Sequence, residues 1–152
     1  MNGYLKLKIV KENKGKSMLV WFVRLFLLFM GVTYFGIGVW AILDPILRAL
    51  ELGYPSFLEA VGLTVTSEIG YSEIAGIYGG LNIIIGVMCF IGIFNKPISL
   101  FIIKFLTMLV GSIAFGRVIF SLIPTTPGFY NSFFVFEVIA LAIGLFLIKN
   151  YK

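Results

Sequence analysis

Four stretches of this chain are each long and apolar enough to cross a bilayer, and nothing else in the sequence constrains the fold as strongly. A helix covers roughly 30 Å of hydrocarbon with about 20 predominantly apolar residues. The runs lie at about 18–43, 73–94, 98–123 and 129–148. Arg24 interrupts the first, Glu73 opens the second, Lys104 and Arg117 fall in the third and Glu137 in the fourth. The expected fold is therefore all-α: an integral membrane four-helix bundle with a short amphipathic interfacial segment between helices 1 and 2. Residues 1–17 read as a basic tail and 18–152 as one membrane domain.

Composition agrees. The chain is 60% apolar and 12% charged, against about 45–50% and about 25% for a soluble domain, which excludes an ordinary water-soluble globule and a disordered chain. Cys89 is the one cysteine, so a disulfide scaffold is excluded. There is no histidine, which removes His-ligated metals, axial-His haem and Ser-His or Cys-His nucleophile pairs. No metal and no cofactor are expected. The first apolar run exceeds the 7–15 residues of a signal-peptide core, and no small-x-small cleavage site follows Leu43. It reads as a retained anchor.

Charge sets the expected topology. Lys6, Lys8, Lys11, Lys14 and Lys16 precede the first span, Lys96 sits in the Asn95-Lys96-Pro97 turn, and Lys149 and Lys152 follow the last span. On the other side Arg48 stands among Asp44, Glu51, Glu59 and Glu68. The positive-inside rule then places both termini in the cytoplasm, and a bacterial inner membrane fits. The basic tail faces anionic lipid; without interleaved aromatic residues it lacks the stacking platform that single-stranded nucleic acid needs, and no nucleic-acid partner is expected. Between the first two spans, 44–71 is too apolar for a free loop, with Leu47, Leu50, Leu52, Phe57, Leu58, Val61 and Leu63. One or two short amphipathic helices at the outer interface are expected there.

Lipid tails do not drive helices together, so packing rests on small residues and buried polar contacts. In the second span Ala75, Gly79, Asn82, Gly86 and Cys89 recur at helical spacing, with Glu73, Gly76 and Gly80 beside them. Arg24, Leu27, Gly31, Tyr34 and Gly38 share a face of the first span. Ser112 and Gly116, with Ala114 and Arg117 beside them, mark the third, and Glu137, Ala140 and Gly144 the fourth. Gly76, Gly79, Gly80, Gly86, Gly116 and Gly144 are the expected packing glycines.

An ionised side chain inside a bilayer costs about 2.5–3.5 kcal/mol even on the lenient insertion scale, so it must pair or reach water. Arg117 lies about 9 Å from the outer end of its span and Glu137 about 12 Å from the outer end of its own, at 1.5 Å per residue. An Arg117–Glu137 pair is predicted, with Glu73 nearby, Asn82 one layer deeper, and Tyr34, Tyr71, Tyr78 and Tyr130 as possible hydroxyl donors. This polar centre either fixes helix register or forms an outer-leaflet pocket for a ligand. Lys104 is placed to snorkel towards the opposite surface.

The run Glu73-Ile-Ala-Gly-Ile-Tyr78-Gly79-Gly80-Leu-Asn82, the later Gly116-Arg117, Glu137 in the last span and Asp44-Pro45 after the first resemble a family of small four-helix bacterial membrane proteins of unknown function. That family usually has an arginine where this chain has Ala75, which leaves Arg117 as the nearby cation. The family is itself distantly similar to DoxX-like membrane proteins, some of which are subunits of quinone-linked oxidoreductases. The resemblance implies a four-helix membrane fold and carries function only by analogy.

Two functions are expected from these features. One is a non-catalytic accessory subunit of a larger membrane complex, with a membrane-protein partner or a homo-oligomer and membrane lipids around it. The other is a binder or transporter of a lipid, quinone-like or small polar molecule at the outer polar pocket. With no redox cysteine pair, no histidine and no phosphate loop opening a helix, no enzymatic activity is expected beyond what paired Glu73 and Glu137 carboxylates would allow.

Overall fold

The computed structural model describes residues 3–49, 53, 55–122 and 131–151, with side chains described from residue 15 onward except those of 47–49. Among these residues every regular element is helical: α1 (Gly3–Ala49), α2 (Phe57–Val61), α3 (Glu68–Ile74), a π-helical segment (Ala75–Gly80), α4 (Leu81–Phe94), α5 (Lys96–Ser121) and α6 (Ser132–Asn150). Four stretches are long and apolar enough to cross a membrane: Gly15–Ile46, Glu68–Phe94, Lys96–Ser121 and Ser132–Asn150. The chain is an all-α membrane protein with the expected four spans.

The boundaries follow local chemistry. α1 runs past both ends of the apolar stretch, because the Lys-rich approach at 5–14 consists largely of good helix formers. It also continues through Pro45, whose ring removes the backbone donor that the Ala41 carbonyl would otherwise receive. The turn between the second and third spans is a single residue, Asn95. Its extended backbone and side-chain oxygen cap α5 by accepting a hydrogen bond from the Ile98 amide at 3.2 Å, with Pro97 in the first turn. Asn131 caps α6 in the same way through the Phe134 amide at 2.9 Å. The 44–71 connection does form short helices. Ser56 caps α2 through the Glu59 amide, Gly62 ends it in the left-handed conformation (φ 69°), and Ser67 caps α3.

The chain divides into two compact units, residues 26–91 and residues 1–25 with 92–152. In the first of these, α1 and the second span run antiparallel along a glycine seam. Ile42 meets Gly79, Gly38 meets Ile83, Phe35 meets Gly86 and Gly31 meets Phe90. Residue numbers fall on one helix as they climb on the other, which fixes the register. The approach is backbone to backbone: a methyl at Gly38 would lie 2.7 Å from both the Gly79 carbonyl oxygen and the Ile83 amide nitrogen, and one at Gly86 would lie 2.7 Å from the Phe35 backbone nitrogen. Only glycine leaves that space empty, and such contact is what holds helices together in lipid. The interfacial segment packs at the end of this pair. Phe57 and Leu58 of α2 bury against Ala41, with Ile37, Trp40, Val61, Val65 and Ile74 around them.

In the other unit α5 and α6 pack antiparallel. The Thr107 side chain fills the space that a methyl on Gly144 would occupy, and Leu141 covers Gly111. Thr107 is itself buried, and its hydroxyl donates to the Ile103 carbonyl at 2.7 Å within its own helix. Near the N-terminal end of this unit Phe22 meets Phe146 edge to face, with ring centroids 6.2 Å apart.

The glycine seam gives a direct test. Gly36→Ala adds a methyl on α1 where none of the described atoms lies within 4 Å, whereas Gly38→Ala adds one against backbone. The two changes share a helix and a propensity gain, so their difference isolates the clash. Gly38→Ala is expected to be less stable than Gly36→Ala by about 1–3 kcal/mol, read by thermal unfolding of the detergent-solubilised protein. Equal stability of the two variants would contradict the seam.

Candidate functional site

The third and fourth spans bring together the two intramembrane charges the sequence pairs. Arg117 lies one turn before the end of α5, and Glu137 lies in the second turn of α6. The antiparallel seam between these helices sets them side by side. Arg117 Nε donates to both carboxylate oxygens of Glu137, at 3.1 and 2.9 Å. The Glu137 side chain is 8% exposed and that of Arg117 35% exposed, so the carboxylate is the buried partner and the guanidinium the one that looks outward. A charge-assisted contact of this kind is stronger than a neutral hydrogen bond. Among the described residues, the two terminal guanidinium nitrogens of Arg117 make no hydrogen bond.

The other expected members of the polar centre, Glu73, Tyr78 and Asn82, belong to the unit of residues 26–91. Glu73 is exposed at the end of α3. Asn82 is half-buried and turned back on its own helix, where its side-chain amide donates to the Ile77 carbonyl at 3.2 Å and the Tyr78 carbonyl at 2.8 Å. Those carbonyls lie in the π-helical segment, whose widened turn leaves backbone acceptors off the regular ladder; the Leu81 amide bonds five residues back to Gly76. Tyr78 stacks at a tilt against Phe57, centroids 5.5 Å apart, and Phe57 meets Trp40 edge to face at the same distance. Of the remaining tyrosines, Tyr34 is buried and Tyr71 exposed, while Tyr130 lies outside the described residues.

The packing glycines divide similarly. Gly79, Gly86 and Gly144 sit in tight seams, whereas among the described residues a methyl on Gly76 or Gly116 would meet no atom within 4 Å and one on Gly80 would meet the Ala75 carbonyl, at 3.9 Å. On α5 the reason is phase. The face towards α6 runs through Thr107, Gly111, Ala114 and Arg117, and at about 100° per residue Ser112 and Gly116 fall on the opposite side of the helix and stay exposed.

Asp44 has a role that charge counting did not reveal. It is 3% exposed. One carboxylate oxygen accepts a 2.6 Å hydrogen bond from the Phe57 amide, the first residue of α2, and the other accepts from the Ser56 hydroxyl at 3.4 Å. The Trp40 indole donates to the Pro55 carbonyl at 3.1 Å. Asp44 and Trp40 thus tie the end of the first span to the interfacial segment, and the negative charge sits favourably at a helix start. The Ser56-x-x-Glu59 pattern was the available sequence signal, a capping-box spacing. No group of three or more His, Cys, Asp or Glu side chains comes together among the described residues.

Comparison of the chain with protein-family models, with curated proteins and with solved structures finds no match in any of the three.

Two outcomes are expected. Arg117→Met should destabilise the protein more than the Arg117→Met/Glu137→Met double variant does, because the single change strands a buried carboxylate. The double-mutant cycle in thermal or denaturant unfolding should give a coupling on the order of 0.5–3 kcal/mol. Asp44→Ala should speed amide hydrogen exchange across 56–62 and leave the α5–α6 pair protected. Unchanged exchange at Phe57 would contradict the tether.

Proposed function

We propose that this protein is a non-catalytic integral membrane subunit that works by packing its helices against a partner in a larger membrane complex. The observation that carries the reading is the open small-residue face of the third span. Ser112 and Gly116, four residues apart, are exposed, and a methyl on Gly116 would meet no described atom within 4 Å, while Glu137 is engaged by Arg117, Asn82 by its own turn and Thr107 by its own helix. A small-x-x-x-small face on an apolar helix is the surface on which a further transmembrane helix packs closely. The flanking Phe115, Ile119 and Phe120 are exposed as well, giving a ridge on either side of the groove. In this reading the chain sits in a bacterial inner membrane with both termini cytoplasmic, as its lysine distribution favours. The resemblance of the Tyr78-Gly79-Gly80 and Gly116-Arg117 motifs to those of small four-helix membrane proteins, themselves distantly similar to DoxX-like subunits, supports the same reading by analogy.

A second reading, binding of a lipid, quinone-like or small polar molecule beside Arg117, is favoured by the outward guanidinium, whose two terminal nitrogens make no hydrogen bond among the described residues. The variants separate the two. Extraction of the chain in a mild detergent, followed by native mass spectrometry, should give an assembly heavier than the 16.9 kDa chain, and Gly116→Leu should dissociate it without lowering the thermal stability of the chain itself. A bare monomer before and after substitution would overturn the subunit reading. Loss of a co-purifying small molecule in Arg117→Met, with the assembly state unchanged, would favour the second.

A further inference from the structure

At the far end of α5 from Arg117, about 31 Å along the helix at 1.5 Å per residue, the unit of residues 1–25 and 92–152 holds a second polar site. A cavity of about 190 Å³ is lined by Arg24 of α1, Lys96 and Ser99 of α5 and Tyr151, with Val23 and Phe94 among its apolar walls. A neighbouring cavity of about 310 Å³ shares Lys96 and Tyr151 and extends to Lys16 and Asn150. The Lys96 ammonium lies 5.7 Å from the centre of the Tyr151 ring, and the Arg24 guanidinium 5.5 Å from that of Trp21, so each cation is set beside an aromatic ring. Among the described residues no carboxylate lines either cavity.

Ser99 makes the site more than a pair of surface cations. It is 1% exposed, and its hydroxyl is the buried side-chain polar atom without a hydrogen-bond partner among the described residues. A buried hydroxyl left unmatched costs free energy, and a neighbour with acceptor oxygens removes that cost. The cavity also opens at the first turn of the 26-residue helix α5, whose dipole favours negative charge there. Two cations from separate helices, an unmatched donor and a helix start converge on one space. We propose that this space binds a phosphate group, held by Arg24 and Lys96 and hydrogen-bonded to Ser99. Val23 and Phe94 suit the glycerol and upper acyl carbons of an anionic glycerophospholipid. The space is smaller than the about 300–1,000 Å³ of a drug-sized pocket, so it takes the headgroup end of such a molecule and leaves its tails in the bilayer. The same oxygens are offered by free inorganic phosphate.

The test uses the full chain, purified in a non-ionic detergent and titrated in native mass spectrometry with dioctanoyl phosphatidylglycerol, dioctanoyl phosphatidylcholine or inorganic phosphate. Wild type should prefer the anionic lipid to phosphatidylcholine. Arg24→Gln should weaken that binding about tenfold or more, as loss of a charged hydrogen bond does, and Ser99→Ala about threefold. Lys104→Gln, which removes the same charge from an exposed position on α5, should leave it unchanged. Ser99→Ala removes one oxygen and adds no bulk, so it keeps the test informative if Arg24→Gln fails to fold. Retention of the lipid against millimolar phosphate assigns the site to a headgroup, whereas displacement by phosphate, with the same loss in the Arg24 and Ser99 variants, assigns it to the free anion. Equal binding of the two lipids with no phosphate binding, an equal loss in Lys104→Gln, or unchanged binding in Ser99→Ala would each overturn the proposal.

Discussion

Inside a bilayer the solvent is as apolar as leucine, so burying leucine gains nothing, and helices hold together only where their backbones can come close or their polar groups can meet. This chain meets that constraint by different means in its two units. Between α1 and the second span the contact is glycine against backbone, at Gly38 and Gly86, with Gly31 and Gly79 taking Phe90 and Ile42. Between α5 and α6 a threonine fills the notch over Gly144, and the seam ends in an ion pair. The first contact is dispersion across a narrow gap. The second adds a directional bond that sets which residue faces which.

The polar residues follow the same rule. A carboxylate, an amide or a hydroxyl that enters the hydrocarbon must find its partner within the protein. Asn82 finds backbone acceptors in a widened turn, Thr107 a carbonyl one turn back and Glu137 a guanidinium. Asp44 closes the same account at the end of the first span, where it holds the start of α2. These contacts explain why so apolar a chain still carries polar side chains at fixed depths. Ser99 is the buried hydroxyl that departs from the pattern among the described residues.

Much of this was legible in the sequence. Length and hydropathy alone give four spans, because roughly 20 apolar residues in a row have few other uses. The Arg117–Glu137 pair was legible because two isolated charges of opposite sign fall at matching depth on consecutive spans. The Asn95 turn was legible because Asn followed by Lys-Pro caps and starts a helix. Asp44 was not: its partner amide lies 13 residues away on a segment whose path depends on tertiary packing. The Ser112–Gly116 stripe was visible as a small-residue face, but at about 100° per residue it lies nearly opposite the Thr107–Arg117 face that meets α6, and a small-residue spacing by itself does not say which side of a helix is covered. In the second span the regular spacing from Ala75 to Cys89 assumed an unbroken α-helix, and the π-helical segment breaks that assumption. Ala75 ends up exposed, while Gly79 and Gly86 stay in the seam.

That widened segment has a consequence of its own. A π turn holds one residue more than the α turn it replaces, so it acts as a phase adapter between two lengths of one rod. Downstream, the glycines keep step with α1; upstream, Glu68–Ile74 presents a face that an uninterrupted α-helix would have swung about a quarter turn away. The second span can therefore satisfy two neighbours with incompatible angular demands, a tightly packed helix on one stretch and the interfacial segment on the other, without a proline.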